Sequence, residues 1–157
     1  FGPNEYHKGR MASMVMKMMQ TCSDGSRVHL FKTNDPQFID GGQMRDFIYV
    51  KDAVRMTCAF LEPNYRSVSG IFNIGHGKTT TWNRLAEVFF NALDKPVNIG
   101  YIDMPPDLAK QYQNYTCACM TKLHKIFLSD PKYVETTPIE MAVREYVQEY
   151  LIRKGRW

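Results

Sequence analysis

The sequence predicts an α/β or α+β fold in one domain. Short runs rich in β-forming residues alternate with segments whose apolar residues repeat at helical spacing. Glycine and proline separate these segments, as they do in turns. With 157 residues, of which 44% are hydrophobic, the chain has enough material for one packed core. We see no linker and no internal repeat, so residues 1–157 are expected to form a single domain.

The first half of the chain is predicted to contain helices and strands in alternation. Residues 10–21 are rich in methionine and predict a helix, and residues 28–31 alternate as a strand does. Residues 45–50 are rich in β-formers and predict a second strand. Asp52 is expected to cap a helix that ends at Pro63. The predicted apolar stripe of this helix consists of Val54, Thr57, Cys58 and Leu61.

The second half continues the alternation. Residues 70–75 are a compact apolar run and predict a strand that ends in glycine. Thr81 is expected to cap a helix, and residues 97–102 predict a further strand. Residues 119–128 have a helical pattern. The buried stripe predicted for the helix after Thr81 is Trp82, Leu85, Ala86, Phe89 and Leu93.

The last helix has the clearest pattern. Thr137 and Glu140 predict a capping box, with Pro138 at the first helical position. Gly155 is expected to end the helix. Its predicted apolar face consists of Ile139, Ala142, Val143, Tyr146, Val147, Tyr150 and Leu151.

Charge and hydropathy argue against two classes of protein. The formal net charge of +4 is too small to indicate a nucleic-acid-binding surface, and it suits an anionic small ligand equally well. No apolar stretch approaches the roughly 20 residues that span a bilayer. Residues 1–5 have no feature of a signal peptide. We therefore expect a cytoplasmic protein that binds neither nucleic acid nor membranes.

The four cysteines are expected to be reduced thiols, as in a cytosolic protein. Cys58 falls in an apolar helical pattern and is expected to lie in the core. The spacing of Cys117 and Cys119 is not that of a CxxC redox or zinc pair. A zinc site formed by these two residues and His124 is disfavoured because the usual paired spacings are missing. His29 and His124 are interpreted as structural residues.

Residues 75–79, Gly-His-Gly-Lys-Thr, could form a phosphate-binding loop, since they follow a predicted strand and precede a predicted helix. The full pattern requires a glycine at the position of Phe72. A strand-to-helix turn that needs glycine is therefore the favoured interpretation.

Three other segments could bind a ligand. Lys8 lies on a loop where a partly desolvated amine could exchange a proton, although a solvated lysine is the commoner case. Arg45 could present its guanidinium to a diphosphate, or it could form an ion pair with Asp46 or Asp52, and spacing favours neither. Residues 110–115 interleave polar and aromatic groups that suit a sugar or a base, although an ordinary surface is the commoner case.

Several of these segments occur in an order that resembles the nucleotide-sugar epimerases and dehydratases among the extended short-chain dehydrogenases. The matching pieces are FGPNE at 1–5, RDFIYVKDAV at 45–54 and GIFNIGHGK at 70–78. HKGRMAS at 7–13 and KQYQNYT at 110–116 narrow the resemblance to the epimerases of this family that act on ADP-heptose. The resemblance runs over nearly the whole chain. It implies the C-terminal, substrate-binding part of an α/β enzyme whose Rossmann half lies upstream.

The resemblance also implies an activity. The enzyme would be an isomerase that interconverts ADP-D-glycero- and ADP-L-glycero-manno-heptose, precursors of the lipopolysaccharide core, by transient oxidation at C6. NADP would be bound mainly by the upstream half, where the resemblance places the family's glycine-rich turn and its Tyr-x-x-x-Lys pair; no G-x-x-G-x-x-G turn occurs in residues 1–157. The full-length protein would form a homo-oligomer. A UDP-glucose 4-epimerase-like enzyme, a sugar-nucleotide dehydratase and a non-catalytic nucleotide-sugar-binding module remain alternatives.

The same resemblance implies roles for individual residues. Lys8 would serve as an acid/base and lie near the cofactor. Arg45 would contact the diphosphate and Tyr112 would face the sugar nucleotide, so these three side chains are expected to line one shared hollow. The other substrate contacts would be Arg10, Lys17, Phe31, Lys32, Thr33 and Asn34.

Overall fold

The computed structural model describes residues 1–22 and 26–153. Its strands are β1 (Val28–Phe31), β2 (Met44–Asp46), β3 (Thr79–Thr81) and β4 (Ile99–Ile102). Its α-helices are α1 (Met14–Cys22), α2 (Val50–Cys58), α3 (Trp82–Ala92), α4 (Pro106–Ala109), α5 (Thr121–Ile126) and α6 (Ile139–Glu145). Short 3₁₀ turns occupy Gly9–Met11, Ala59–Leu61 and Pro131–Tyr133, and α6 continues as a π-helix over Tyr146–Ile152. None of the helices in these two ranges is long and apolar enough to cross a bilayer.

The strands form two small sheets. β1 and β4 pair in parallel, with Val28 opposite Ile99. A parallel pair needs a long crossover connection, and here that connection contains α2 and α3. β2 and β3 pair antiparallel, with Arg45 opposite Thr80. Met44 of β2 also forms an isolated parallel bridge with Tyr115, so the segment around Tyr115 runs directly beside β2.

Two clusters of buried side chains hold these elements together. In the larger cluster α1, α3, α6 and the π-helix pack around β1. Its members include Val15, Met18, Leu30, Leu85, Phe89, Val143, Tyr146 and Val147. The smaller cluster joins α2 to α5 and consists of Met56, Ala59, Tyr65, Met120, Leu123 and Phe127.

Several predictions that depend on local signals are confirmed. β1 has the predicted bounds, and α3 begins after Thr81, whose hydroxyl accepts a hydrogen bond from the Arg84 amide at 3.0 Å. Leu85, Ala86 and Phe89 are buried on the predicted face of α3. The predicted apolar face of the last helix is also found, with Ala142, Val143, Tyr146, Val147 and Leu151 buried. Gly155 lies outside the described residues.

Two of the predicted strands are wrong in whole or in part. The strand predicted over 45–50 is β2, which ends at Asp46, and Val50 already begins α2. The strand predicted over 70–75 is irregular in the structure. No described strand lies beside this segment. The carbonyl of Ile71 instead accepts from the Lys122 ammonium at 2.8 Å, and the Asn73 amide donates to the carbonyl of Cys119 at 3.1 Å.

The apolar stripe predicted for α2 is wrong. The four predicted residues are all exposed: Val54, Thr57, Cys58 and Leu61. The prediction that Cys58 lies in the core is therefore also wrong. The buried positions are Asp52, Met56 and Ala59, which share another face of the helix and the turn after it. The cause is the Asp52 carboxylate, which is tied to the start of α6 and turns that face inward.

Both capping predictions that involve Asp52 or Thr137 are also wrong. Tyr49 occupies the N-cap of α2, and Asp52 does not cap this helix. Its carboxylate accepts from the Thr137 amide at 2.7 Å and the Thr137 hydroxyl at 2.9 Å, and it pairs with Arg55 at 2.9 Å. The Thr137 hydroxyl is therefore engaged by Asp52, and Pro138 takes the N-cap position of α6 without a side-chain cap.

Replacing Asp52 should destabilise the protein strongly. We expect Asp52→Asn to lower the free energy of unfolding by about 1.5–3 kcal/mol, the usual contribution of hydrogen bonds to a charged group, because the carboxylate is buried. Urea unfolding of the full-length natural protein measures the change. Asp103→Asn is the matched control, since Asp103 is 88% exposed and its ion pair with Lys32 should contribute no more than about 1 kcal/mol. Equal effects of the two substitutions would contradict the assignment of Asp52.

Candidate functional site

A cleft lined by aromatic side chains opens between α1, β1, β2 and α3. It consists of two cavities of about 340 and 310 Å³ that share Met14 and Trp82 in their walls. We call this pair of cavities the aromatic cleft. The first cavity is lined by Met14, Lys17, His29, Leu30, Phe31, Trp82, Ile102 and Tyr112. The second is lined by Phe1, Ser13, Met14, Val15, Arg45, Asp46, Phe47, Ile48, Trp82 and Leu85.

Arg45 lies at the centre of this cleft. Its guanidinium carbon is 4.9 Å from the centre of the Tyr112 ring and 5.9 Å from that of Trp82, both within range of a cation–π contact. The two rings are themselves joined, because the Trp82 indole N–H donates to the Tyr112 hydroxyl at 3.0 Å. One guanidinium nitrogen donates to the carbonyl of Met44 at 2.8 Å. The half-buried Arg45 fork is therefore held in place before any ligand arrives.

Backbone hydrogen bonds explain why Tyr112 lies beside Arg45, although the two residues are far apart in the sequence. The amide of Met44 donates to the carbonyl of Asn114 at 2.8 Å, and the amide of Thr116 donates to the carbonyl of Met44 at 3.2 Å. These bonds place the end of the predicted polar and aromatic segment 110–115 against β2. Tyr112 precedes this contact by a few residues, and its ring lies beside the guanidinium.

The two carboxylates that could have neutralised Arg45 have other partners. The Asp46 carboxylate accepts from the amides of His76 at 2.6 Å and Gly77 at 2.9 Å. Asp52 pairs with Arg55. Within residues 1–22 and 26–153, no carboxylate forms a salt bridge with Arg45. Of the two interpretations left open by the sequence, the ion pair with Asp46 or Asp52 is therefore wrong.

The glycine loop at 75–79 is a structural turn, as favoured from the sequence. Two of its amides are occupied by the Asp46 carboxylate and do not converge on a free space as in a phosphate-binding loop. Gly77 has a φ of 75°, which disfavours a side chain there. A Cβ on Gly75 would lie 2.4 Å from the Cβ of Ala118. These glycines allow the loop to pack closely on Asp46 and Ala118.

Other residues expected at the site line the first cavity of the cleft. Lys17 projects from α1 and is exposed, so its ammonium adds positive charge to the rim. Phe31 ends β1, and its ring meets that of Tyr112 edge-on at 6.3 Å between centres. Trp82 and His29 line the same cavity but were assigned structural positions from the sequence. The sequence pattern of Trp82 fits a buried helix stripe, and no local signal indicates that the ring also reaches a cleft.

Lys32, Thr33 and Asn34 follow β1 and are engaged in the loop after it. The Lys32 ammonium donates to Asp103 at 2.9 Å, and this hydrogen bond raises the pKa of Lys32. The Thr33 amide donates to Asp40 at 2.8 Å, and the Asn34 side-chain amide donates to the carbonyl of Ala109 at 2.9 Å. Among the residues that line the two cavities of the cleft, none of these three is found.

Lys8 lies away from Arg45 and Tyr112. It lines a third cavity of about 570 Å³ with Pro3, Asn4, Val50, Lys51 and Val54. Its ammonium is 3.9 Å from the carboxylate of Glu5. The expectation of one hollow shared by Lys8, Arg45 and Tyr112 is thus met only by the last two. Arg10 is exposed on the 3₁₀ turn that follows Lys8.

Glu5 is a buried residue that no sequence signal indicates besides its place in the FGPNE motif. Its carboxylate accepts from the Ser13 amide at 3.0 Å and from the Tyr146 hydroxyl at 3.3 Å. Burial, followed by the charge of Glu5, raises the pKa of Tyr146, which therefore stays a neutral donor. Because Ser13 lies in the wall of the cleft, Glu5 fixes the start of α1 on which Met14 and Lys17 stand.

Comparison with known proteins finds a family of enzymes that this chain resembles. Residues 1–75 match the model of the NAD dependent epimerase/dehydratase family. The chain is 44% identical to the ADP-L-glycero-D-manno-heptose-6-epimerase of Nitratidesulfovibrio vulgaris, over 96% of this chain and 45% of that protein. It is 39% identical to the enzyme of the same name from Fusobacterium nucleatum, over 100% of this chain and 47% of that protein. The family resemblance is confirmed. The chain spans slightly less than half the length of these curated relatives.

Solved structures of this epimerase family share the fold. The ADP-L-glycero-D-manno-heptose-6-epimerase of Helicobacter pylori superimposes with a TM-score of 0.73 at 22% identity, over 97% of this chain and 42% of that one. A UDP-N-acetylglucosamine 4-epimerase from Methanobrevibacter ruminantium, solved with UDP-N-acetylmuramic acid, gives a TM-score of 0.71 at 25% identity, over 99% of this chain and 44% of that one. The α/β fold of an extended short-chain dehydrogenase is therefore confirmed for this chain.

The structure predicts that Asp46 contributes strongly to stability, whereas its neighbour Arg45 contributes little. We expect Asp46→Asn to lower the free energy of unfolding by about 1.5–3 kcal/mol, because the charged carboxylate holds the glycine loop and the amide of Ala118. Arg45→Gln should lower it by only about 0.5–1 kcal/mol, since it loses cation–π contacts with Tyr112 and Trp82 but no ion pair. Thermal unfolding of the full-length natural protein measures both. Asp107→Asn, at an exposed position of α4, serves as the control, and a milder effect of Asp46→Asn than of Arg45→Gln would refute this division.

Proposed function

We propose that the chain is the substrate-binding part of a nucleotide-sugar epimerase, and that the aromatic cleft binds the diphosphate of an ADP-heptose at Arg45. The observation that carries this proposal is a half-buried guanidinium, stacked against Tyr112 and Trp82, whose charge is in no ion pair with the described carboxylates. A guanidinium can bind two phosphate oxygens at once through parallel N–H donors. Lys17 adds a second positive charge at the same cleft.

The flat walls of the cleft suit the other parts of such a ligand. Phe31 and Tyr112 meet at an angle, and together with Ile102 and Met14 they offer apolar surface for a base or a sugar. The Tyr112 hydroxyl accepts from Trp82 and retains a proton to donate. Under this proposal the side chains bind and orient the nucleotide sugar. Lys32, Thr33 and Asn34 shape the neighbouring loop. A substrate contact from Arg10 is also proposed, although Arg10 lines neither cavity of the cleft.

Lys8 is proposed to hold or transfer a proton from its own cavity. Its ammonium is half exposed and has one carboxylate, Glu5, at 3.9 Å. Asn4 lines the same cavity and can offer its side-chain amide to a ligand, whereas Lys51 in that cavity pairs with Glu145. NADP would supply the hydride chemistry when bound. The glycine loop at 75–77 is occupied by Asp46, so the described residues do not form a dinucleotide cradle, and we assign most of the NADP site to other sequence.

The exposed apolar residues support a proposal that further sequence covers this chain. Val54 and Leu61, on and after α2, are 54% and 69% exposed, and Ile71 is 89% exposed. The curated relatives are about twice as long as the part that this chain matches. A stand-alone, non-catalytic binding module would be expected to carry polar residues at such positions. We also carry over from the resemblance a cytoplasmic, self-associating enzyme of lipopolysaccharide precursor synthesis.

Substitution of Arg45 tests the binding role of the cleft. We expect Arg45→Lys in the full-length natural protein to weaken ADP binding at least about 10-fold, equivalent to roughly 1.4 kcal/mol, because a lysine cannot form the two parallel N–H contacts. Isothermal titration calorimetry measures the dissociation constant. Arg84→Lys is the matched control, since Arg84 is exposed outside the cleft and pairs with Glu140 and Glu87.

Two outcomes of this experiment would redirect the proposal. Unchanged ADP affinity in Arg45→Lys, or an equal loss in Arg84→Lys, would rule out Arg45 as the diphosphate contact. Tighter binding of UDP than of ADP to the unmodified protein would favour the alternative of a UDP-sugar epimerase. In either case the family assignment would stand and only the ligand would change.

Residues 1–157 produced alone should convert no ADP-heptose, with or without NADP. The reason is that the glycine loop at 75–77, the one candidate for a phosphate-binding position within residues 1–22 and 26–153, has its amides engaged by Asp46. A steady-state assay of epimerisation, followed by separation of the two heptose epimers, measures this. Turnover by these residues alone would show that the chain forms its own cofactor site.

A further inference from the structure

The segment that follows the β2 contact carries two cysteines on one exposed face. From Gln113 to Met120 the exposure of the side chains alternates, as it does along an extended strand. Cys117 and Cys119 are exposed, whereas Ala118 between them points inward against Gly75. The two thiols therefore lie on the same face, two residues apart, and each makes only a weak contact: Cys117 Sγ with the carbonyl of Ala118 at 3.9 Å and Cys119 Sγ with the Thr121 hydroxyl at 3.6 Å.

The backbone on both sides of this pair is held by hydrogen bonds. The amide of Thr116 donates to the carbonyl of Met44 at 3.2 Å, and the amide of Ala118 donates to the Asp46 carboxylate at 3.0 Å. The carbonyl of Cys119 accepts from the Asn73 side chain at 3.1 Å. Two of these bonds lead to β2 and the third leads to Asn73, so the segment cannot bend without breaking them.

This extended geometry disfavours a disulfide between the two residues. Two residues along an extended strand are separated by about 6.6 Å, whereas a disulfide needs its Cβ atoms only about 3.5–4.5 Å apart. A metal ion bound between the two sulfur atoms allows a larger separation than a disulfide does. With each metal–sulfur bond about 2.3 Å long, the two sulfur atoms can stay up to about 4.6 Å apart. Rotation about χ1 alone can bring the thiols toward such a spacing.

We propose that Cys117 and Cys119 form a two-thiolate binding site for a soft monovalent cation, Cu⁺. Soft thiolate ligands select Cu⁺ over harder ions. A tetrahedral zinc site needs more donors, and within the described ranges no group of three His, Cys, Asp or Glu side chains could hold a metal ion. Each thiol loses its proton as its sulfur binds the ion, so two protons are released per Cu⁺ and no electron is transferred. Neither cysteine lines the aromatic cleft, so this site is independent of the proposed function.

Competition with a Cu⁺ chelator tests this site directly. The full-length natural protein, fully reduced and without oxygen, is titrated with Cu⁺ in the presence of bathocuproine disulfonate. We expect Cys117→Ser and Cys119→Ser each to weaken Cu⁺ binding by more than the roughly 10–100-fold that loss of a supporting contact costs at a metal site. Cys58→Ser is the matched control, because Cys58 is exposed on α2 and has no cysteine beside it.

A second measurement does not depend on how the variants fold. Ag⁺, a redox-stable substitute for Cu⁺, should protect Cys117 and Cys119 of the unmodified protein from iodoacetamide while Cys58 still reacts, as read by peptide mass spectrometry. The proposal is overturned if the double Cys→Ser variant binds Cu⁺ as tightly as the unmodified protein, or if Ag⁺ protects Cys58 equally. It is also overturned if oxidised glutathione converts the pair to an internal disulfide while the protein stays folded.

Discussion

The Asp46 carboxylate joins three parts of the chain that are far apart in sequence. It accepts hydrogen bonds from the amides of His76, Gly77 and Ala118, and it is itself fixed in β2. Because neighbouring residues of a strand point to opposite faces, the same strand that turns Asp46 toward these loops turns Arg45 toward the aromatic cleft. The position of the guanidinium therefore depends on a neighbouring carboxylate whose oxygens are engaged by backbone amides.

Buried acids serve the same purpose elsewhere in the structure. Glu5 and Asp52 are buried, and each is satisfied by amide and hydroxyl donors: Glu5 by Ser13 and Tyr146, and Asp52 by Thr137. A buried carboxylate is costly unless it is hydrogen-bonded, so these contacts fix the elements that supply them. They also use up acidic groups inside the fold. The basic residues at the cleft, Arg45 and Lys17, keep their charge available for an anion.

Sequence reasoning succeeded where the signal was local. The cap at Thr81, the bounds of β1 and the apolar face of the last helix are each determined within a few residues of the position concerned. It failed where a distant partner decided the outcome. Asp52 and Thr137 each looked like a helix cap, and each bonds the other across 85 residues of sequence. The stripe predicted for α2 failed for the same reason, since that contact sets which face turns inward.

The site was predictable in part for a similar reason. Residue spacing alone did not decide whether Arg45 contacts a diphosphate or forms an ion pair with a neighbouring acid. Which interpretation holds depends on whether those acids have better partners, and the amides of a glycine loop 30 residues away provide them for Asp46. The role of Trp82 in the cleft was not predicted, because one side chain can pack on the core and line a cleft at the same time. The helical pattern indicates only that the side chain packs on the core. A helical pattern therefore predicts which side chains pack on the core, but it does not predict which of them also border a cleft.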